Sequence, residues 1–133
     1  MDSIEISAAG MRAQRARMDV IAANLANVDT TSARTELRDG EVRHVPFRRK
    51  LAVLIEGADG LPRVKLVEDP SEFRVERQPG HPHASAAGTV LFPNVDPMVE
   101  TVDLMAASRA YEANLTAVEV AKAMHQSTLR ILG

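Results

Sequence analysis

IEISAAGMRAQRARMDVIAANLANV, residues 4–28, decides how the rest of this chain must be arranged. Numbered by sevens, Ile4, Met11, Met18 and Leu25 share one heptad position, and Ser7, Gln14, Ile21 and Val28 share the position three residues on. Six of these eight are apolar, at the alternating three- and four-residue spacing of a helix that packs lengthwise along other helices. Asp2 or Ser3 is placed to cap the helix start, with Glu5 in the first turn. Asn27-Val28-Asp29-Thr30-Thr31, polar and β-branched, lets it stop. Gly10 costs about 1 kcal/mol relative to Ala in a helix interior, so either the first turns are weak or a neighbouring helix comes close at that point.

Such a seam needs a partner, and the C-terminal stretch supplies it. Asp96-Pro97 is a helix start: Asp offers the capping oxygen, and Pro suits the first helical position because its missing N–H needs no partner there. From Pro97 to Leu132 there is no further Pro and no Gly. At about 1.5 Å per residue this helix reaches about 50 Å and the first about 37 Å. One seam of the second helix runs Val99, Val102, Ala106, Ala110, Ala113, Ala117, Val120, Met124 and Ile131, mostly alanine, so another backbone can approach closely. A second face carries Leu104, Tyr111, Leu115 and Val118. A helix apolar on two faces is covered on two sides. One partner helix within the chain covers only one, so the other is expected to meet further subunits.

All seven prolines lie between Pro46 and Pro97, and five of the seven glycines between Gly40 and Gly88. This shift in composition predicts helix, Pro/Gly-rich insert, helix, with units at 1–31, 32–95 and 96–133. Residues 32–45, charged and without period, read as a loop or extended arm. Leu51–Glu56 and Arg63–Glu68 read as a β-hairpin around Gly57-Ala58-Asp59-Gly60, and Phe73–Glu76 and Gly88–Phe92 as further short strands. A sheet of three or four strands follows. The fold class is α+β: two long terminal helices packed as a coiled-coil-like core, with a small β insert between them.

The totals exclude several functions. The chain has 133 residues and a net charge of −2, which gives no general attraction to nucleic acid. Aromatic residues make up only 3%, so the apolar surface is aliphatic and suits helix seams better than a large globular core. There is no cysteine, hence no disulfide, thiol catalysis or Cys-ligated zinc. No run of about 18 apolar residues indicates a membrane span, and the first residues lack the pattern of a cleaved signal peptide. His81-Pro82-His83 looks like half a metal site, but no carboxylate or cysteine stands at ligand spacing, so these and His44 are read as polar loop residues. Arg48-Arg49-Lys50 is read as a solvated strand edge. There is no phosphate loop, nucleophile elbow or metalloprotease His pair, and the carboxylates are scattered. No enzyme constellation, cofactor site or metal site is expected.

Several stretches together resemble one family. Met11–Thr31 (MRAQRARMDVIAANLANVDTT) is similar to the N-terminal signature of flagellar rod and hook proteins. Pro46–Leu51 (PFRRKL), Pro79–Pro82 (PGHP) and Gly88–Asp96 (GTVLFPNVD) resemble the middle of its proximal-rod members, and Ser108–Asn114 (SRAYEAN), with Lys122 and Met124, the C-terminal motif. The resemblance implies a structural subunit of the basal-body rod. Such a subunit is exported unfolded through the flagellar type III apparatus without a cleaved signal, assembles in the periplasm with copies of itself and other rod proteins, and transmits torque. It also implies that the terminal helices form the inner tube while the middle segment faces outward. On this reading the assembly interface is Met11, Gln14, Met18, Ile21, Asn24, Leu25 and Asn27 of the first helix. The second helix adds Val102, Ala106, Arg109, Ala110, Tyr111, Ala113, Asn114, Ala117, Val120 and Met124. Gln14, Asn24, Asn27, Arg109, Glu112 and Asn114 are the polar groups placed to fix register, although Arg109 and Glu112 also fit a surface ion pair. A helical-hairpin adaptor that binds one partner helix is the competing reading. It needs only one open face.

Overall fold

The computed structural model describes residues 3–132, so the capping role given to Asp2 lies outside them. The element order is α1 (Ser3–Ala26), β1 (Arg34–Arg38), β2 (Glu41–Val45), β3 (Lys50–Glu56), β4 (Pro62–Glu68), β5 (Arg74–Arg77), β6 (Thr89–Phe92) and α2 (Pro97–Leu132). The second helix starts where its sequence signal places it. The Met98 backbone N–H donates to Asp96 Oδ1 at 2.9 Å, and the Glu100 N–H to the Asp96 carbonyl at 3.0 Å. α1 stops at Ala26, and a turn over 27–29 takes the chain into the insert.

The helices pack antiparallel. Gly10 faces Asn114, Arg17 faces Asp103 and Asn24 faces Glu100. The deepest stripe of α1 is Ala9, Ala13, Ile21 and Asn24, and α2 contributes Glu100, Ala107 and Val118. Small and polar residues thus share the deepest positions with Ile21 of the heptad seam and Val118, while the heptad residues Met11, Met18 and Leu25 sit half-buried beside them. Gly10 belongs to the same approach. A Cβ there would lie 3.0 Å from the Asn114 amide, which decides between the two readings of that glycine in favour of a close neighbour.

The insert differs from the expected single sheet. It consists of three separate antiparallel hairpins, β1–β2, β3–β4 and β5–β6. Pro46 lies between the first two and Pro70 between the last two. Proline lacks the N–H that a continuing ladder needs, so strand pairing stops at each joint. Residues 32–45 are likewise not a loop: Arg34–Arg38 pairs with Glu41–Val45 across Asp39-Gly40, with φ of 55° and 80°. Two successive positive-φ residues make the tight turn whose twist matches a hairpin. The β3–β4 hairpin lies against α1, while Val90 and Phe92 of β6 and Val95, just before α2, are also buried.

Candidate functional site

Two features of α2 stand out, a polar joint on its inner face and an apolar stripe on its outer one.

The joint centres on Glu100, only 1% exposed. Its Oε1 accepts from Arg49 Nε, and its Oε2 from Asn24 Nδ2 at 3.1 Å. Asn24 is also 1% exposed. Its amide reads the backbone of Lys50 in both directions, donating to the carbonyl at 2.8 Å and accepting from the N–H at 3.0 Å. Arg49 reaches Asp69 Oδ2 at 3.3 Å and Asp103 Oδ2 at 3.5 Å, and Arg17 reaches Asp103 Oδ1 at 3.7 Å. Asn94 accepts from the Arg49 N–H at 2.8 Å and donates to Ser71 Oγ at 2.9 Å. Five parts of the chain therefore meet at one point: both helices, the start of β3, the turn after β4 and the segment before α2. The Ser71 backbone N–H, more than the Arg49 charge, holds the Asp69 carboxyl below the usual carboxylate range, against the opposing effect of burial. The Arg49 guanidinium, weakened by burial, is held cationic more strongly still by Glu100 and then Asp69.

This corrects the reading of Arg48-Arg49-Lys50 as a solvated edge. Arg49 is enclosed by carboxylates, and Arg48 Nη1 donates to the carbonyls of Asp69 and Ser71, each at 2.8 Å. The Arg48 guanidinium also lies 4.2 Å from the Phe73 ring centre. It corrects the reading of the carboxylates as scattered as well. Glu100 did not stand out in the sequence, and Arg49 did so only as part of a basic cluster. The one local sign of Glu100 is that it shares a helical face with Leu104, Ala107 and Tyr111.

The outer face of α2 carries the stripe. Val102 is 63% exposed and Met124 66%, and Ala106, Arg109, Ala113, Ala117 and Val120 are exposed between and beside them. Ala110, Tyr111 and Asn114 are half-buried, with Asn114 Nδ2 donating to the Ala110 carbonyl at 2.9 Å. On α1, Met11, Gln14, Met18, Leu25 and Asn27 are half-buried, and Ile21 and Asn24 are buried within the chain itself. Asn27 Nδ2 donates to the Ala23 carbonyl at 2.8 Å. Gln14 Oε1 is buried and has no hydrogen-bond partner among the described residues. Because the helices run antiparallel in this register, α1 begins, at Ser3, level with about residue 121, and α2 continues beyond it with no helix of the described residues beside it. Leu129 and Ile131 on that extension are exposed, Ile131 by 83%.

The structure brings three histidines together. The His44 and His83 rings stack with centres 4.1 Å apart, and His81 meets His83 edge-on at 5.2 Å. No group among the described residues has the geometry to hold a metal ion.

The sequence matches two family models, flagella basal body rod protein over residues 4–34 and flagellar basal body rod FlgEFG protein C-terminal over residues 86–131. Among similar proteins named flagellar basal-body rod protein FlgC, that of Bacillus subtilis is 40% identical, covering 97% of this chain and 95% of its own length. That of Aquifex aeolicus is 36% identical over 96% and 92%, and that of Salmonella typhimurium 31% over 98% and 96%.

Proposed function

This chain belongs to the flagellar basal-body rod protein FlgC family, a structural rod protein and not an enzyme, and from that premise we propose that it builds the rod by self-association through the outward face of α2. The carrying observation is that apolar face, continuous from Val102 through Met124 to Ile131 and left uncovered by the chain's own fold. Val102, Ala106, Arg109, Ala113, Ala117, Val120 and Met124 meet neighbouring subunits directly. Met11, Gln14, Met18, Leu25, Asn27, Ala110, Tyr111 and Asn114, half-buried at the flanks of the helix pair, complete the contact when neighbours pack alongside. In the assembled tube the helices make coiled-coil-like contacts with their neighbours, and Gln14 finds a partner for its buried oxygen.

The neighbours are copies of this chain and other rod proteins. The units 1–31 and 96–133 form the tube wall, and 32–95 faces outward. Long helices in contact along their length resist twist because relative motion must break close packing, which suits torque transmission. Export in unfolded form through the type III apparatus, followed by folding in the periplasm, suits a chain with no cysteine to oxidise. Among the described residues no helix is long and apolar enough to cross a membrane. An adaptor for a single helix has no use for an open face that extends past the intrachain partner.

Replacing Ala113 or Ala117 with Leu tests this reading. Both are exposed, so thermal unfolding of the isolated protein should shift by less than about 0.5 kcal/mol, while the added bulk costs roughly 1–3 kcal/mol at each close helix contact in the rod. Basal bodies from such cells should lack complete rods and the cells should not swim. Complete rods and normal swimming in both variants contradict the assigned face.

A further inference from the structure

We propose that His44, His81 and His83 form a proton-operated latch that holds the β1–β2 hairpin and the exit of α1 against the loop between β5 and β6, and opens in mild acid.

The latch joins segments with few other ties. Thr31, buried at the exit of α1, shares a hydrogen bond of 2.8 Å between its hydroxyl and His83 Nδ1. Ser32 does the same with His44 Nδ1 at 2.9 Å. The His44 ring, carried by β2, lies flat on that of His83. The His83 backbone N–H donates to His81 Nδ1 at 3.0 Å, so His81 Nδ1 bears a lone pair and its ring proton sits on Nε2. The β1–β2 hairpin buries no apolar residue of its own, and this cluster is its main side-chain anchor to the 81–85 segment.

Each protonation works against the arrangement. A proton on His81 Nδ1 sets two N–H groups facing each other and breaks the bond from His83. Charging both His44 and His83 places two cations in stacked contact. Among the charged groups nearby, Glu41 and Arg43 of β2 line the same cleft and offset one another. Arg74 of β5 lies over the Phe92 ring, 5.1 Å from its centre, and His81 meets that ring edge-on at 6.3 Å, while Glu76, the carboxylate of β5, is engaged by Arg74 at 3.1 Å and by Gln78 Nε2 at 3.1 Å. Loss of hydration pushes the His83 imidazole below its ordinary value, and the neighbouring His44 and His81 push it further. A depressed imidazole stabilises the closed form fully above its ordinary value of 6.5, and that contribution is lost as pH falls through 6.5 toward the lower folded value.

Amide exchange of the isolated full-length protein at pH 7.5 and pH 5.0, corrected for intrinsic exchange, reads the latch directly. The opening equilibrium of residues 41–45 and 81–85 should rise on the order of tenfold at the lower pH, while α1 and the paired part of α2 keep their protection. In the His44→Gln/His83→Gln variant the rise should be lost at 41–45 and reduced at 81–85, where the bond from the residue 83 backbone N–H to His81 Nδ1 remains, and in His125→Gln, altered only on α2, both segments should behave as in the parent. Equal protection of these segments at both pH values in the parent overturns the latch, as does an undiminished rise in the double variant. Because the parent carries the first comparison, a variant that fails to fold does not remove the test.

Discussion

The two sides of α2 are made of the same helix yet hold partners in opposite ways. The inner side of residues 97–121 meets α1 through small residues and one enclosed charge network, where Glu100, Asn24 and Arg49 satisfy one another. The outer side and the extension past α1 carry Val102, Val120, Met124, Leu129 and Ile131, all exposed. Inside, specificity comes from hydrogen bonds whose loss strands buried charge. Outside, alanines and aliphatic side chains make a surface that any well-shaped neighbour can cover. The difference suits two tasks within one helix: the inner side ties both helices to the insert, and the outer side is the face proposed for assembly.

The largest expected effect breaks the inner side. Glu100→Ala removes the acceptor shared by Arg49 and Asn24 and leaves an enclosed guanidinium facing Asp69 and Asp103 alone. Breaking a buried pair from one side costs about 3–5 kcal/mol, a large part of the stability of a domain this size. Denaturant unfolding should show the loss. A change below about 1 kcal/mol would mean that the joint is wet and weak. Asn24→Ala comes next. It leaves both the carbonyl and the N–H of Lys50, part-buried, without their amide partner, at about 1–3 kcal/mol in all, with the β3–β4 hairpin loosening first in amide exchange.

Those residues also show what the sequence made legible. The start of α2 was open to reading because Asp96 and Pro97 act locally, and the strands over 50–56, 62–68, 74–77 and 89–92 carry their own alternation and turns. The joint was not, since Arg49 and Glu100 lie 51 positions apart and a long-range ion pair leaves no periodic trace. The β1–β2 hairpin was missed for a different reason. Its Asp39-Gly40 turn is a strong signal, but every β1 residue is exposed, so no alternation of apolar and polar residues accompanies it. The heptads of α1 pointed to a seam of large side chains. Of these Ile21 is buried, but Ala9, Ala13 and Asn24 share the stripe with it in place of Met11, Met18 and Leu25, because the close backbone approach at Gly10 favours small groups there. Of the residues proposed for assembly, burial separates the exposed and half-buried ones from Ile21 and Asn24, a distinction that spacing alone does not make.

Gly10→Ala gives the smallest effect and sharpens the inner side. The helix gains about 1 kcal/mol of intrinsic preference, but the new methyl group meets the Asn114 amide at 3.0 Å, and that amide is tethered to the Ala110 carbonyl. The net change in unfolding free energy should fall within about 1 kcal/mol and turn favourable once Asn114→Ala is added, since the two sites share one contact. Independent, additive effects of the two substitutions would mean that the helices do not touch there.

The central claim, one helix with an occupied inner half and an extension reserved for neighbours, is tested most directly by amide exchange along α2 in the confirmed monomer and in isolated rods. In the monomer, protection should be strong over residues 100–118 and fall away over 122–131, where a helix without packing is marginal in water. In rods the 122–131 segment should become as protected as the rest. Uniform protection along α2 in the monomer, or exchange at 122–131 that stays fast in the rod, would contradict it.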